Sequence, residues 1–239
     1  LTIYFAHRGS VTEAPENTLS SFQKALTHGA KFLELDVQLT KDNELIVCHD
    51  QRLDRVAKNK KGLIKDFTLA EIKEIDVGSS FSKEYEGEPL ATLSEILDIC
   101  PSEVFLNIEI KNIPIVYEGI EKRVLDCVGH HRTTDQFMVS SFDHLALKRV
   151  EVLDPSVKLG LLSMDRLIEP WHYAENCGLN IYSLHPRHVF VDKEYIRESH
   201  AAGYKVYPWT VDKFDELDRL LKLDVDGVIT NNPEMFGSK

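Results

Sequence analysis

Short apolar runs that end in polar side chains alternate along this chain with stretches of helical periodicity. The strand-like runs are 3–7 (IYFAH), 31–37 (KFLELDV), 44–49 (ELIVCH), 104–111 (VFLNIEIK), 137–141, 158–163, 180–185, 205–209 (KVYPW) and 227–230 (GVIT). Helical spacing fits 18–28, 92–99, 114–129, 143–153, 166–177, 192–202 and 213–222, several opened by Ser, Thr or Asp in capping position. Strands alternating with helices predict a parallel sheet with crossover helices. Nine strands are one too many for a closed barrel of eight, and QLTKDN (38–43) accounts for the excess. A parallel crossover needs about a dozen residues or more, so the 44–49 strand is expected to fold back through Asp42-Asn43 as an antiparallel hairpin. That hairpin is expected to bring His49 level with Glu34.

The predicted fold is therefore α/β, a TIM (β/α)8 barrel with an antiparallel hairpin and a small inserted subdomain over the barrel mouth. The 239 residues suit one such domain, typically about 250 residues long. Residues 51–91 break the alternation. They hold a short helical stretch, TLAEIKEI, then GSSFSKEYEGE, and are too long for an ordinary connection. Eight Lys/Arg and eight Asp/Glu cancel within them, but six of the cations fall between Arg52 and Lys65, either a solvated face or a weak collar for anions.

Composition narrows the partners. With 43% hydrophobic and 28% charged residues and no apolar run near the roughly 18 residues of a membrane span, the chain reads as soluble, with no stable membrane association. A formal charge of −11 disfavours nucleic acid as a partner, so an anionic substrate needs a local positive site. Four scattered cysteines without CxxC spacing, and no signal-like segment in the residues given, lead us to expect a cytoplasmic location, although Leu1 in place of Met leaves the amino terminus open. The oligomeric state is not legible.

The chemistry lies at strand ends. Glu34 and Asp36, two apart on a strand, point to one face, and burying such a pair requires a proton or a cation. Glu109 adds a third carboxylate near another strand end, with Lys111 two residues on. Three converging carboxylates suit one hard divalent cation, Mg²⁺ or Ca²⁺; an ion pair with Lys111 is the simpler alternative. His7 and His49 beside them suit proton transfer near neutrality, and Arg8 offers a planar fork of donors to a phosphate oxygen. In-line displacement at phosphorus needs one group to take a proton and another to give one.

These residues sit in pieces that resemble the glycerophosphodiester phosphodiesterases, relatives of phosphatidylinositol phospholipase C: HRG (7–9), PENT (15–18), ELDV (34–37), HD (49–50), LSEIL, NIEIK (107–111), SSF (140–142), WTV (209–211) and GVITNNP (227–233). They run in family order over nearly the whole chain. The resemblance implies a metal site of Glu34, Asp36 and Glu109, acid/base histidines at His7 and His49, and phosphate contacts from Arg8 and Lys111. It also implies Trp209 lining the pocket and supporting roles for Glu16, paired to Arg8, and Asn17, although Asn17 or Thr18 could simply cap the first helix. The implied reaction is metal-dependent hydrolysis of a small glycerophosphodiester to sn-glycerol 3-phosphate and an alcohol, with a lysophospholipase D or phospholipase-C-like lipid reaction as the alternative. SVTEA after HRG, Ala91 before Thr-Leu and WTVD in place of WTVN depart from the family pattern.

Overall fold

The computed structural model describes residues 2–233. Its strands are β1 (Ile3–His7), β2 (Phe32–Leu39), β3 (Leu45–Val47), β4 (Phe105–Ile110), β5 (Phe137–Ser141), β6 (Lys158–Ser163), β7 (Ile181–Pro186), β8 (Lys205–Val206) and β9 (Gly227–Thr230). Its helices are α1 (Leu19–Thr27), α2 (Leu69–Lys73), α3 (Leu93–Ile99), α4 (Ile120–Gly129), α5 (His144–Leu153), α6 (Pro170–Asn176), α7 (Lys193–Ala201) and α8 (Phe214–Leu221). The sheet runs β8-β7-β6-β5-β4-β2-β1-β9 with parallel neighbours, and β3 adds to β2 antiparallel. Past β8, Ile229 N donates to Pro208 O at 3.0 Å and Val211 N to Ile229 O at 2.9 Å, closing the ring. This is the expected TIM barrel.

Boundaries differ where backbone chemistry intervenes. β8 stops at Val206, short of the expected 209, because Pro208 has no N–H to donate to a ladder. α4 starts at Ile120 because Gly119 immediately before it is left-handed (φ 77°), and α6 starts at Pro170, whose fixed φ suits a first helical turn.

The hairpin corrects one expectation. Its register is Val37↔Val47 and Leu39↔Leu45, which continued would set His49 against Leu35 and not Glu34. Three residues, Lys41 to Asn43, close the hairpin: Thr40 N bonds Glu44 O, and Asn43 takes φ 63°. β3 then ends, and the Gln38 amide donates to the carbonyls of Cys48 (2.6 Å) and Asp50 (2.9 Å), steering the chain that carries His49.

The segment 51–91 builds a separate apolar cluster of Leu53, Val56, Ile64, Ile72, Ile75, Val77 and Leu90 with Ile46 and Cys48. It bonds the loop after β1 through Tyr85 Oη to Glu13 O (2.7 Å), and the loop after β4 through Gln51 Nε2 to Ile115 O (3.0 Å). Inside the barrel, Phe5 stacks edge-on against Phe32 and Tyr207 (centroids 5.4 and 5.2 Å), joined by Met138 and Ile229. This apolar plug is a dry floor directly under the layer that carries His7 and Glu34.

Candidate active site

Parallel pairing assembles the charged layer. His7 lies level with Glu34, and Asp36 with Glu109, which is itself level with Ser140 on β5. Period-two alternation turns His7, Glu34, Asp36 and Glu109 inward above the aromatic floor. His7, Glu34 and Glu109 line a cavity with Arg8, His49, Asn107, Ser140, Phe142, Leu162 and Trp209, and Asp36 lies buried beside the two glutamates.

The HRG turn is built for this layer. Arg8 is left-handed (φ 59°), and its backbone N–H donates to Glu34 O (2.9 Å) and lies 3.2 Å from Glu34 Oε2. A non-glycine residue in this conformation is uncommon and persists where its surroundings over-determine it. Gly9 must be glycine, since at φ 88° a Cβ would stand 2.6 Å from the backbone carbon of Ser21. Asn17, also left-handed at φ 58°, sends Nδ2 to Asp36 Oδ2 at 2.9 Å, while Thr18 caps α1. Of this pair Thr18 is the cap of the helix, and Asn17 bonds Asp36 instead.

Charge balance is uneven. Three buried carboxylates face two cations. Lys111 Nζ is 2.6 Å from Glu109 Oε1 and 3.6 Å from Asp36 Oδ1. Arg8 Nε is 3.2 Å from Asp36 Oδ2, and its terminal nitrogen is 3.0 Å from Glu16 Oε1. Burial opposes ionisation of Asp36, but Arg8 and then Lys111 more than offset it and hold its carboxyl below the usual range. Glu34 has no such pair, and burial, then Asp36 and Glu109, push it well above the usual range. Burial also raises Glu109 in spite of Lys111, while Glu109 and Asp36 push Lys111 up to about 12 against the effect of burial.

The donor set fits a hard cation. Glu34, Asp36 and Glu109 each offer an oxygen within 4.8 Å of the others, and buried Asp36 Oδ1 has no hydrogen-bond partner among the described residues. A divalent ion would satisfy that oxygen and neutralise the excess negative charge.

The histidines are held differently. His7 Nδ1 is 2.7 Å from Asn231 Oδ1, with Nε2 3.9 Å from Glu34 Oε2; burial, then Arg8, push its pKa down to about 3, leaving the ring neutral. His49 Nδ1 bonds Asp50 Oδ1 at 2.7 Å, Asp50 Oδ2 accepts from Arg55 Nε at 2.7 Å, and Arg55 grips both oxygens of Glu16 at 2.7 and 2.8 Å. Arg8, Glu16, Arg55, Asp50 and His49 are thus joined in one run of hydrogen bonds. Trp209 sends Nε1 to His185 O (2.8 Å) and meets Phe142 edge-on at 5.4 Å, forming an aromatic wall of the cavity. Of the ten residues singled out from the sequence, all lie in or directly against this site. Asp50, Asn231, Asp212 and Phe142 fall inside the quoted motifs but had no role there, and Arg55 was counted only among the cations of the insertion.

A closed parallel barrel with buried carboxylates, histidines and cations at one mouth defines a phosphoryl-transfer type of enzyme site. Comparison with known proteins is specific. A model of the glycerophosphoryl diester phosphodiesterase family matches residues 7–235, and the chain belongs to this family and is an enzyme of its class. It is 41% identical to a glycerophosphodiester phosphodiesterase of Caldanaerobacter subterraneus subsp. tengcongensis, over 98% of this chain and 95% of that one. It is 38% identical to one of Bacillus altitudinis, over 98% and 96%. The structure of an Oleispira antarctica phosphodiesterase in complex with the product sn-glycerol-3-phosphate superposes with TM-score 0.91 at 31% identity, covering 100% of this chain and 96% of that one.

Proposed function

We propose that this chain hydrolyses small glycerophosphodiesters, such as deacylated phospholipids, to sn-glycerol 3-phosphate and an alcohol. Residues 1–239 would act as one barrel domain carrying its insertion at about 51–91. The observation that supports this most strongly is the Glu34, Asp36 and Glu109 cluster, one oxygen of which lacks a hydrogen-bond partner among the described residues, set beside His7 and His49. A single Mg²⁺ or Ca²⁺ held there would supply Lewis acidity at a phosphoryl oxygen. Arg8 and Lys111 contact the remaining phosphate oxygens, and Trp209 with Phe142 packs against the substrate's carbon skeleton. His7 takes a proton at Nε2 from the hydroxyl that attacks phosphorus, of water or of the glycerol 2-position, and His49 gives one to the departing alkoxide. The unlike partners support that division: His49 Nδ1 faces the Asp50 carboxylate, while His7 Nδ1 faces only the neutral Asn231 amide. Glu16 and Asn17 hold Arg8 and Asp36 in place. A cytoplasmic setting is part of the same proposal; among the described residues no helix is long and apolar enough to cross a membrane.

The alternative, a lipid substrate such as a lysophospholipid, draws on exposed Ile113, Val116, Met164 and Ile168, on loops that follow β4 and β6 at the site's end of the barrel. A panel of glycerophosphocholine, glycerophosphoethanolamine, glycerophosphoinositol and lysophosphatidylcholine, read by sn-glycerol 3-phosphate and alcohol release, separates the two. Turnover of the first three with little of the last is expected. Preference for the acylated substrate would overturn the small-diester reading.

A further inference from the structure

Behind His7 stand two residues that the reaction as described does not use. Asn231, just past β9, accepts at Oδ1 from His7 Nδ1 at 2.7 Å. Asp212, in the turn before α8, accepts from the Asn231 backbone N–H at Oδ1 (2.8 Å) and from Asn231 Nδ2 at Oδ2 (2.7 Å). A carboxylate accepts and does not donate, so both of its oxygens demand donors from Asn231. The side-chain amide can therefore point only its NH₂ at Asp212, and its carbonyl is left facing His7. A carbonyl in turn only accepts, so His7 must carry a proton on Nδ1, and a ring with a single proton has it there. Its lone pair then lies on Nε2, the nitrogen that faces Glu34 and the cavity.

We infer that Asp212 and Asn231 are positioning residues that fix His7 in the Nδ1–H tautomer, so that the nitrogen facing substrate is always the basic one. The inference deepens the proposed function and rests on His7 acting as base at Nε2. The aspartate in WTVD, one of the chain's departures from the family pattern, is the anchor of this relay.

The geometry dictates what an isosteric change does. In Asp212→Asn, the backbone N–H of residue 231 can only donate, so it claims the new amide's oxygen. The new NH₂ then faces Asn231, whose amide must turn over and present its own NH₂ to His7 Nδ1. The ring has to accept there and move its proton to Nε2. In Asp212→Asn/Asn231→Asp every donor again finds an acceptor: the amide at 212 bonds the carboxylate at 231, which accepts from His7 Nδ1.

Two readouts on Mg²⁺-loaded protein test this: ¹⁵N–¹H correlation spectra reporting which nitrogen of His7 is protonated, and kcat with KM for glycerophosphocholine. The wild type should show Nδ1–H. Asp212→Asn should show Nε2–H and a kcat lower by about 10²- to 10⁴-fold, the range spanned by loss of a general base or inversion of its tautomer, with KM changed less than threefold on the order of the ordinary scatter for a residue that does not touch substrate. The double variant should regain Nδ1–H and most of kcat. Asn231→Asp alone, which keeps an acceptor on His7, should retain Nδ1–H. An Nε2–H ring in the wild type, or an unmoved proton in Asp212→Asn, overturns the relay. A moved proton with unchanged kcat instead overturns His7 as base, and with it the catalytic purpose of the relay.

Discussion

Glu34 and Asp36, two residues apart on one face of β2, are driven in opposite directions: burial and two neighbouring carboxylates raise Glu34, whereas Arg8 and Lys111 hold Asp36 low. The pair is a site short of one positive charge. Because the folded-state pKa of Glu34 is raised above the ordinary 4.5, its contribution to stability is full below about that pH and is lost as pH rises through the folded value. Metal-free protein should therefore lose thermal stability with rising pH, and Glu34→Gln, which cannot ionise, should lose less. The variant should also lose the stabilisation that Mg²⁺ or Ca²⁺ gives the wild type, and at least about 100-fold in activity, more than the roughly 10- to 100-fold typical of outer-sphere partners. Melting curves at several pH values with EDTA and with each ion check all three.

The two histidines should separate by leaving group. A basic choline or ethanolamine alkoxide needs a proton to depart, and a nitrophenolate does not. His49→Ala should cut glycerophosphocholine turnover by about 10²- to 10⁴-fold yet spare an activated aryl ester of glycerol phosphate, while His7→Ala damages both. Equal proportional losses on the two substrates would remove the division of roles.

Of the six cations between Arg52 and Lys65, Arg55 turns toward the site and bridges Glu16 and Asp50. Lys60 lies over the Phe67 ring, and Arg52 and Lys65 pair with Asp54 and Asp66. Arg55→Ala should lower kcat/KM by roughly 10-fold through loss of Asp50 and Glu16 orientation. Neutralising Lys58, Lys60 and Lys61 together should leave kcat unchanged and alter KM only at low salt. A larger kcat loss in the triple variant than in Arg55→Ala would reverse this ranking.

His185 offers a pH prediction away from the carboxylates. It is buried inside the barrel with Nε2 2.8 Å from Ser183 Oγ, and burial pushes its pKa down from 6.5 to about 3. The unfolded ring protonates first on acidification, so its contribution to stability is present above pH 6.5 and is lost between there and about 3. His185→Gln should flatten the acid limb of the stability curve by up to one proton, about 1.4 kcal/mol per pH unit. Denaturant unfolding across that window measures the slope; an unchanged slope would mean that the ring is already protonated in the fold.

Strand alternation and the period-two spacing of Glu34 with Asp36 made the barrel and half of the site legible from the chain alone, because both are local. The hairpin register was not, since it turns on Asn43 adopting a left-handed conformation and on Gln38 capturing carbonyls ten and twelve residues later. Nor could spacing show that Asn231 meets His7 across 224 positions, or that Arg55 joins Glu16 to Asp50. Only the closing of the barrel brings these residues together. The quoted motifs marked the right neighbourhoods without saying which side chain faces which.

On the function proposed above, diester cleavage depends on one divalent ion held by the three-carboxylate cluster. Protein stripped with EDTA should release no sn-glycerol 3-phosphate from glycerophosphocholine, and Mg²⁺ or Ca²⁺ should restore release at about one ion per chain. Asp36→Asn should stay inactive, with no stoichiometric binding, at every ion concentration. Undiminished release from stripped protein, or full rescue of Asp36→Asn by the same ion, would contradict the account.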